Sequence, residues 1–242
     1  YTSTSNFDAL VAQNNENAFN YYTLKKNTSA SVASGISGNY QLNGSDNQEI
    51  IWNFMMQNGF TEAGAAGMMG NLQSESNFYS IVVQDHFCWA SEEEMEYCEN
   101  YVKQVDDGTI SENDFINNGP GGGGFGLAQW TATDRKQRLY NYAKSTGRSI
   151  GDFQMQLEFL LQELQSNYPT IWQVVSTTSS LKEASDIVLY DYENPAQKYE
   201  KSVARAEQGQ AIFNTYSGKT ISASSITATT NTGSSEDDDV ED

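Results

Sequence analysis

Gly64, Gly67 and Gly70 recur every three residues in a segment otherwise built from Ala and Met, and no other feature constrains the fold as much. Thr61 is placed to cap a helix there, with Glu62 in its first turn. Glycine costs about 1 kcal/mol relative to alanine inside a helix. Glycines at this interval strip one face of side chains, so another helix can approach closely. Partners are available along the chain. Asp46 or Asn47 can cap a helix through Gln57, and Thr133 one that Gly147 ends. Asp152 opens another, whose Phe153, Leu157, Leu160, Leu161 and Leu164 form an apolar stripe stopping before Pro169. Ser180 and Glu183 make a capping box for a helix to about Asp191. A last helix from about Ala196 to Tyr216 carries Tyr199, Val203, Ala206 and Phe213 on roughly one side. The reading is mainly α (α+β).

The 242 residues include 14 Tyr, 11 Phe and 4 Trp, enough for a real core and too many for a disordered chain. Residues 47–217 are expected to form the compact unit. Residues 1–46, rich in Asn, Ser and Thr, read as a linker or arm, and 218–242 as a Ser/Thr-rich and acidic tail. Between the second and third helices lies a long irregular stretch, 78–124, where a short hairpin is expected around Asp106-Asp107-Gly108. No apolar run approaches the roughly 20 residues that span a bilayer. The chain begins with Tyr, as expected for a processed protein or a piece of a longer polypeptide.

The formal charge is −19. Six of the last seven residues are acidic, and residues 85–114 carry ten acids against Lys103 alone. No basic patch exists to displace phosphate counterions, so nucleic acid is not an expected partner. Solvated faces are the ordinary meaning of such runs; a calcium site near Asp106-Asp107-Gly108 is the alternative, without regular loop spacing. Cys88 and Cys98 lie in the same insert. A disulfide between them is the first expectation, with two free thiols or a metal site with His86 as alternatives. His86 is the only histidine and no G-x-S-x-G elbow accompanies it, which points any catalysis toward carboxylates. No cofactor is expected.

Glu75, in Gly70-Asn71-Leu72-Gln73-Ser74-Glu75-Ser76-Asn77-Phe78, stands at the C-terminal end of the glycine-rich helix. The negative end of the helix dipole and apolar neighbours both favour a protonated carboxyl, as a general acid needs. The run Gly119 to Gly124 leading into Phe125-Gly126-Leu127-Ala128-Gln129-Trp130-Thr131 is not a phosphate loop, since no Gly-Lys-Ser/Thr follows. Backbone of this kind suits an extended ligand, with Gln129 and Trp130 as sugar-contacting types. A mobile loop with a core Trp is the bland alternative.

Together, Glu75-Ser76-Asn77-Phe78, Gly126-Leu127-Ala128-Gln129 and Tyr192 resemble the three-part signature of goose-type lysozymes and soluble lytic transglycosylases. The closer resemblance is to the phage tail lysozyme family, carried in order by Gly70 to Ser76, Val105 to Thr109, Gly124 to Thr131 and Tyr192 to Pro195. It covers about residues 48–217. It implies a lysozyme-like helical domain with a small β-hairpin or irregular insert beside the cleft. The implied reaction is cleavage of the β-1,4 bond between N-acetylmuramic acid and N-acetylglucosamine in peptidoglycan. By this resemblance Glu75 is the general acid, while Gln129, Trp130, Tyr192, Ser76 and Gly126 contact the glycan. Asn194 replaces the final motif's arginine, and the glycine run is longer than the family's usual one.

Asp106 is the first candidate for a second catalytic carboxylate, Asp85 and Asp114 follow, and a substrate-assisted lytic transglycosylase needs none. A segment of a virion tail protein acting on the host wall, with other tail proteins as further partners, suits a chain without the basic charge that steers free lysins. A secreted or conjugation-associated bacterial lysozyme, extracellular in either case, and an inactive glycan-binding tail module are the alternatives. The disulfide is expected to brace the insert beside the cleft.

Overall fold

The computed structural model describes residues 42–117, 123–193 and 198–219, with side chains from 200 onward in the last of these. The helices, in chain order, are α1 (Asn47–Gln57), α2 (Glu62–Ser76), α3 (Glu92–Asp107), α4 (Glu112–Ile116), α5 (Thr133–Thr146), α6 (Phe153–Asn167), α7 (Pro169–Thr177), α8 (Leu181–Ile187) and α9 (Lys198–Tyr216). A single π turn, Val188–Glu193, continues α8. The mainly α expectation holds. Asp46, Thr61, Asp152 and Ser180 each cap as expected, accepting from the backbone N–H of Glu49, Gly64, Met155 and Glu183. Thr133 does not: α5 starts one residue after Ala132, with no side-chain cap.

Helix α2 is the hub, packed on by α1, α7, α8 and α9. Its three glycines admit three different neighbours, not one. A Cβ on Gly64 would lie 1.8 Å from the Val175 carbonyl oxygen, on Gly67 2.6 Å from the Ala184 Cβ, and on Gly70 2.3 Å from the Arg205 carbonyl oxygen. The reason is angular. Each three-residue step turns about 300° on a helix of 3.6 residues per turn, so the bare positions sweep round the helix as they climb it. Gly64→Ala gains about 1 kcal/mol of helix propensity but must push the α2 and α7 backbones apart. Overpacking costs typically about 1–3 kcal/mol, and a 1.8 Å approach to a backbone carbonyl lies at the costly end. The clash wins. Urea unfolding should show the midpoint fall with an unchanged slope.

The 78–124 stretch departs from expectation. No hairpin forms at Asp106-Asp107-Gly108; α3 runs through Asp107, and Gly108, at φ 83°, is its left-handed C-cap. Ser91 caps its start and Glu92, Glu93 and Glu94 fill the first turn, where acids complement the helix dipole. Cys98, Tyr101 and Val105 are its buried stripe. The charge run is thus the solvated face of an amphipathic helix. The tight antiparallel pairing lies instead at Phe125 and Trp130, which exchange backbone hydrogen bonds of 3.2 and 3.0 Å. Val83 bridges both His86 and Phe125.

The expected disulfide is also corrected. Cys88 and Cys98 are buried free thiols. They lie in hydrogen-bonding contact, where burial first and then Cys98 push the Cys88 thiol up. Cys98 Sγ also reaches the His86 carbonyl at 3.7 Å. Apolar packing of α3 anchors the segment that the bond was expected to brace. His86 places Nδ1 2.9 Å from Glu94 and stacks on Tyr97 with ring centroids 3.6 Å apart.

Candidate active site

Glu75 sits in the last turn of α2, before Asn77 in the left-handed region at φ 47° and Phe78 at φ 66°. Two successive non-glycine residues with positive φ turn the chain sharply away. That leaves the Glu75 side chain 18% exposed. Its Oε1 accepts from Arg205 Nη2 of α9, and Arg205 Nη1 donates to the Asn71 carbonyl at 2.9 Å. The guanidinium, itself 5% exposed, is held at two points, so it fixes Glu75 while leaving some of the carboxylate open. Sequence reasoning set Glu75 against the helix dipole and apolar neighbours; the structure adds this cation. Nothing local in the sequence pairs residues 130 positions apart.

The Gly-Leu-Ala-Gln-Trp segment lies against residues 82–84. Gly126 N–H donates to Val82 O at 2.8 Å, and Gln84 N–H to Gly124 O at 2.8 Å. Gln129, at φ 44°, turns its Nε2 onto Val82 O and Gly126 O at 3.1 and 3.0 Å. Gly126 at φ 78° has no room for a Cβ, which would meet Gln156 Oε1 at 2.5 Å. Gln156 is a buried hub that sequence reasoning missed. It accepts from Leu127 N–H and donates to Ser80 O and Ile150 O.

Trp130 and Tyr192 meet, but beneath the surface. Trp130 is fully buried and Tyr192 nearly so. Both donate to Glu163 Oε2, the indole at 2.9 Å and the phenol at 2.7 Å. Arg135 donates to Glu163 through Nε at 3.0 Å and Nη2 at 2.9 Å, and Arg138 through Nη2 at 3.2 Å. Arg135 also lies over the Tyr192 ring, 4.1 Å from its centroid. Burial alone would push the Glu163 carboxyl up, but the bonds and charge of Arg135, with Tyr192 and Trp130, hold it below its ordinary range. As placed, the two aromatics are packed in the core around Glu163 and offer no free ring face. Ser76 is buried as well, its hydroxyl donating back to Leu72 O at 3.1 Å.

Asp106 is exposed at the end of α3, and its Oδ1 accepts from Ile150 N–H at 2.8 Å. No contact among the described residues joins it to Glu75. Asp85 is exposed with φ 67°, and Asp114 is bonded to Ser111 in the first turn of α4. Asn194 and Pro195 lie outside the described residues. Phe87 is the accessible ring nearby in sequence, 55% exposed; it meets the half-buried Trp89 at 5.4 Å, which in turn stacks at 5.8 Å on the buried Tyr79. The row runs from the buried Tyr79, four residues past Glu75 in the chain, out to Phe87 at the surface.

Residues 46–216 match the family described as phage tail lysozyme. The chain belongs to that family. Morphogenesis protein 1 of Bacillus phage B103 is 26% identical over 180 residues, which is 72% of this chain and 40% of the relative. The chain therefore spans well under half of that relative's length. Membership in the phage tail lysozyme family supports a lysozyme-type action on peptidoglycan. No helix among the described residues is long and apolar enough to cross a membrane.

Proposed function

We propose that this chain is a glycosidase that cleaves the β-1,4 bond between N-acetylmuramic acid and N-acetylglucosamine, carried on a phage tail to open the host wall. The observation that carries the reading is Glu75: a partly open carboxylate at the end of α2, fixed by Arg205, in a chain of the phage tail lysozyme family. Its role is to protonate the glycosidic oxygen as the bond to C1 breaks, the oxocarbenium-like state then being captured by water. The exposed Phe87 ring, packed on the half-buried Trp89, supplies an apolar face for a pyranose unit. Gln129 and Gly126 shape the adjoining backbone.

The deciding experiment is digestion of purified Gram-positive walls followed by mass spectrometry of the released muropeptides. Reducing muramic acid ends are expected. Ends carrying 1,6-anhydro rings would make the chain a lytic transglycosylase, with the sugar's own 6-hydroxyl in place of water. Intact walls would leave a glycan-binding tail module.

A further inference from the structure

Gln84 lies in a tight turn that the His86 N–H closes by donating to the Val83 carbonyl at 2.9 Å. Its side chain is exposed, yet its orientation is fixed. Gln84 Oε1 accepts from the Gly124 N–H at 2.9 Å, and the Gln84 N–H donates to the Gly124 carbonyl at 2.8 Å. Only the oxygen of a side-chain amide can accept an N–H, so the amide cannot turn over without losing that bond. The peptide on the other side of the bond is clamped as well. In a trans peptide the C=O and N–H point in opposite directions. The Gly124 N–H faces Gln84, and the Gly123 carbonyl accepts from Lys136 Nζ at 3.0 Å. Lys136 is 1% exposed, its ammonium 4.5 Å from the Phe115 ring centroid. The Gly123–Gly124 peptide is thus held between a buried cation and an exposed amide. A side chain on Gly123, at φ 125°, would collide with that amide.

What remains is the Gln84 NH2, which has no hydrogen-bond partner among the described residues. Gln129, the amide that the sequence singled out for sugar, spends both donors of its NH2 on Val82 O and Gly126 O. Gln84 is therefore the amide of this segment with donors to give. It stands nine residues after Glu75, on the stretch that pairs with Phe125 and Gly126. The exposed Phe87 ring follows three residues later. A fixed amide donor and an apolar ring match the two chemistries of an N-acetyl sugar, a polar acetamide and an apolar C–H face.

We propose that Gln84 is a glycan-contacting residue: its NH2, held in place by the clamped Gly123–Gly124 peptide, donates to the acetamide carbonyl of an N-acetyl sugar. This inference rests on the glycosidase reading and names a contact within it. Two variants separate contact from loop support. Gln84→Glu keeps an oxygen to accept the Gly124 N–H but has no donor, whereas Gln84→Ala removes both. The probe is the uncharged tetramer of N-acetylglucosamine, so the new carboxylate meets no charge on the ligand, and affinity is read by calorimetry on the full chain. Loss of one neutral hydrogen bond should weaken binding by about 3–10-fold, to a similar degree in both variants. On cell walls KM should rise by the same factor with kcat per folded molecule unchanged, because Gln84 is not assigned to the reacting bond. Weakening in Gln84→Ala alone would make Gln84 a support for the loop and overturn the proposal. Wild-type affinity in both variants, or no tetramer binding by the wild type, would overturn it too. A wild type that leaves walls intact but loses tetramer affinity in both variants would overturn the glycosidase reading while the Gln84 contact stands.

Discussion

Glu75→Gln is expected to lower the rate of wall lysis by about 10²–10⁴-fold, the usual contribution of a positioned general acid. The amide still accepts a hydrogen bond from Arg205 but has no proton to give to a leaving oxygen. Because Arg205 is nearly buried, removing the partner charge should also cost about 1–3 kcal/mol of stability. Activity must then be expressed per folded molecule, with circular dichroism as the check. Glu75→Asp separates the two effects. It keeps the ion-pairing charge but withdraws the carboxyl by one methylene, so stability should recover while activity stays low. Lysis by either variant at the wild-type rate would remove Glu75 from the mechanism.

The largest loss of stability is expected from Glu163→Ala. That carboxylate is 1% exposed and accepts from Trp130, Tyr192, Arg135 and Arg138. Deleting one side of a buried pair leaves charge uncompensated and costs about 3–5 kcal/mol. For a domain of this size each kcal/mol moves the melting temperature by about 2–4 °C, so a fall on the order of 10 °C is expected by calorimetry. Glu163→Gln should be nearly as harmful, because its amide NH2 would point a donor at groups that are themselves donors. The pH dependence has a definite sign. The folded carboxyl lies below its ordinary value of 4.5. Its contribution is therefore complete above about 4.5 and lost as pH falls toward the folded value. Wild type and Glu163→Ala should converge in stability on that acid side and differ most near neutrality.

Both predictions turn on partners that the sequence places far apart. Glu75 was legible because an ordered set of short motifs singled it out and because its helix position follows from local capping. Arg205 was not legible. It reaches Glu75 only when α9 closes onto α2, and no local signal records that closure. Trp130 and Tyr192 were legible as members of the site's motifs, but a motif does not say whether a ring faces ligand or core. Their burial follows from Glu163, a glutamate in an apolar helix that reads as a surface residue until its four donors converge.

What the sequence determined by itself was the set of helices whose ends carry caps, the need for close neighbours along α2, and the family to which the chain belongs. Those features depend on contacts within a few residues, or on patterns that survive as order along the chain. The insert shows the limit. Its charge density suggested a loose loop, yet three buried positions, Cys98, Tyr101 and Val105, were enough to dock it as a helix once a core existed to receive them. Only the tertiary structure decided which thiols stay unbonded, which buried carboxylate gathers four donors, and which glycine meets which backbone. Burial and long-range charge create these properties, and both arise when segments distant in sequence share one low-dielectric interior.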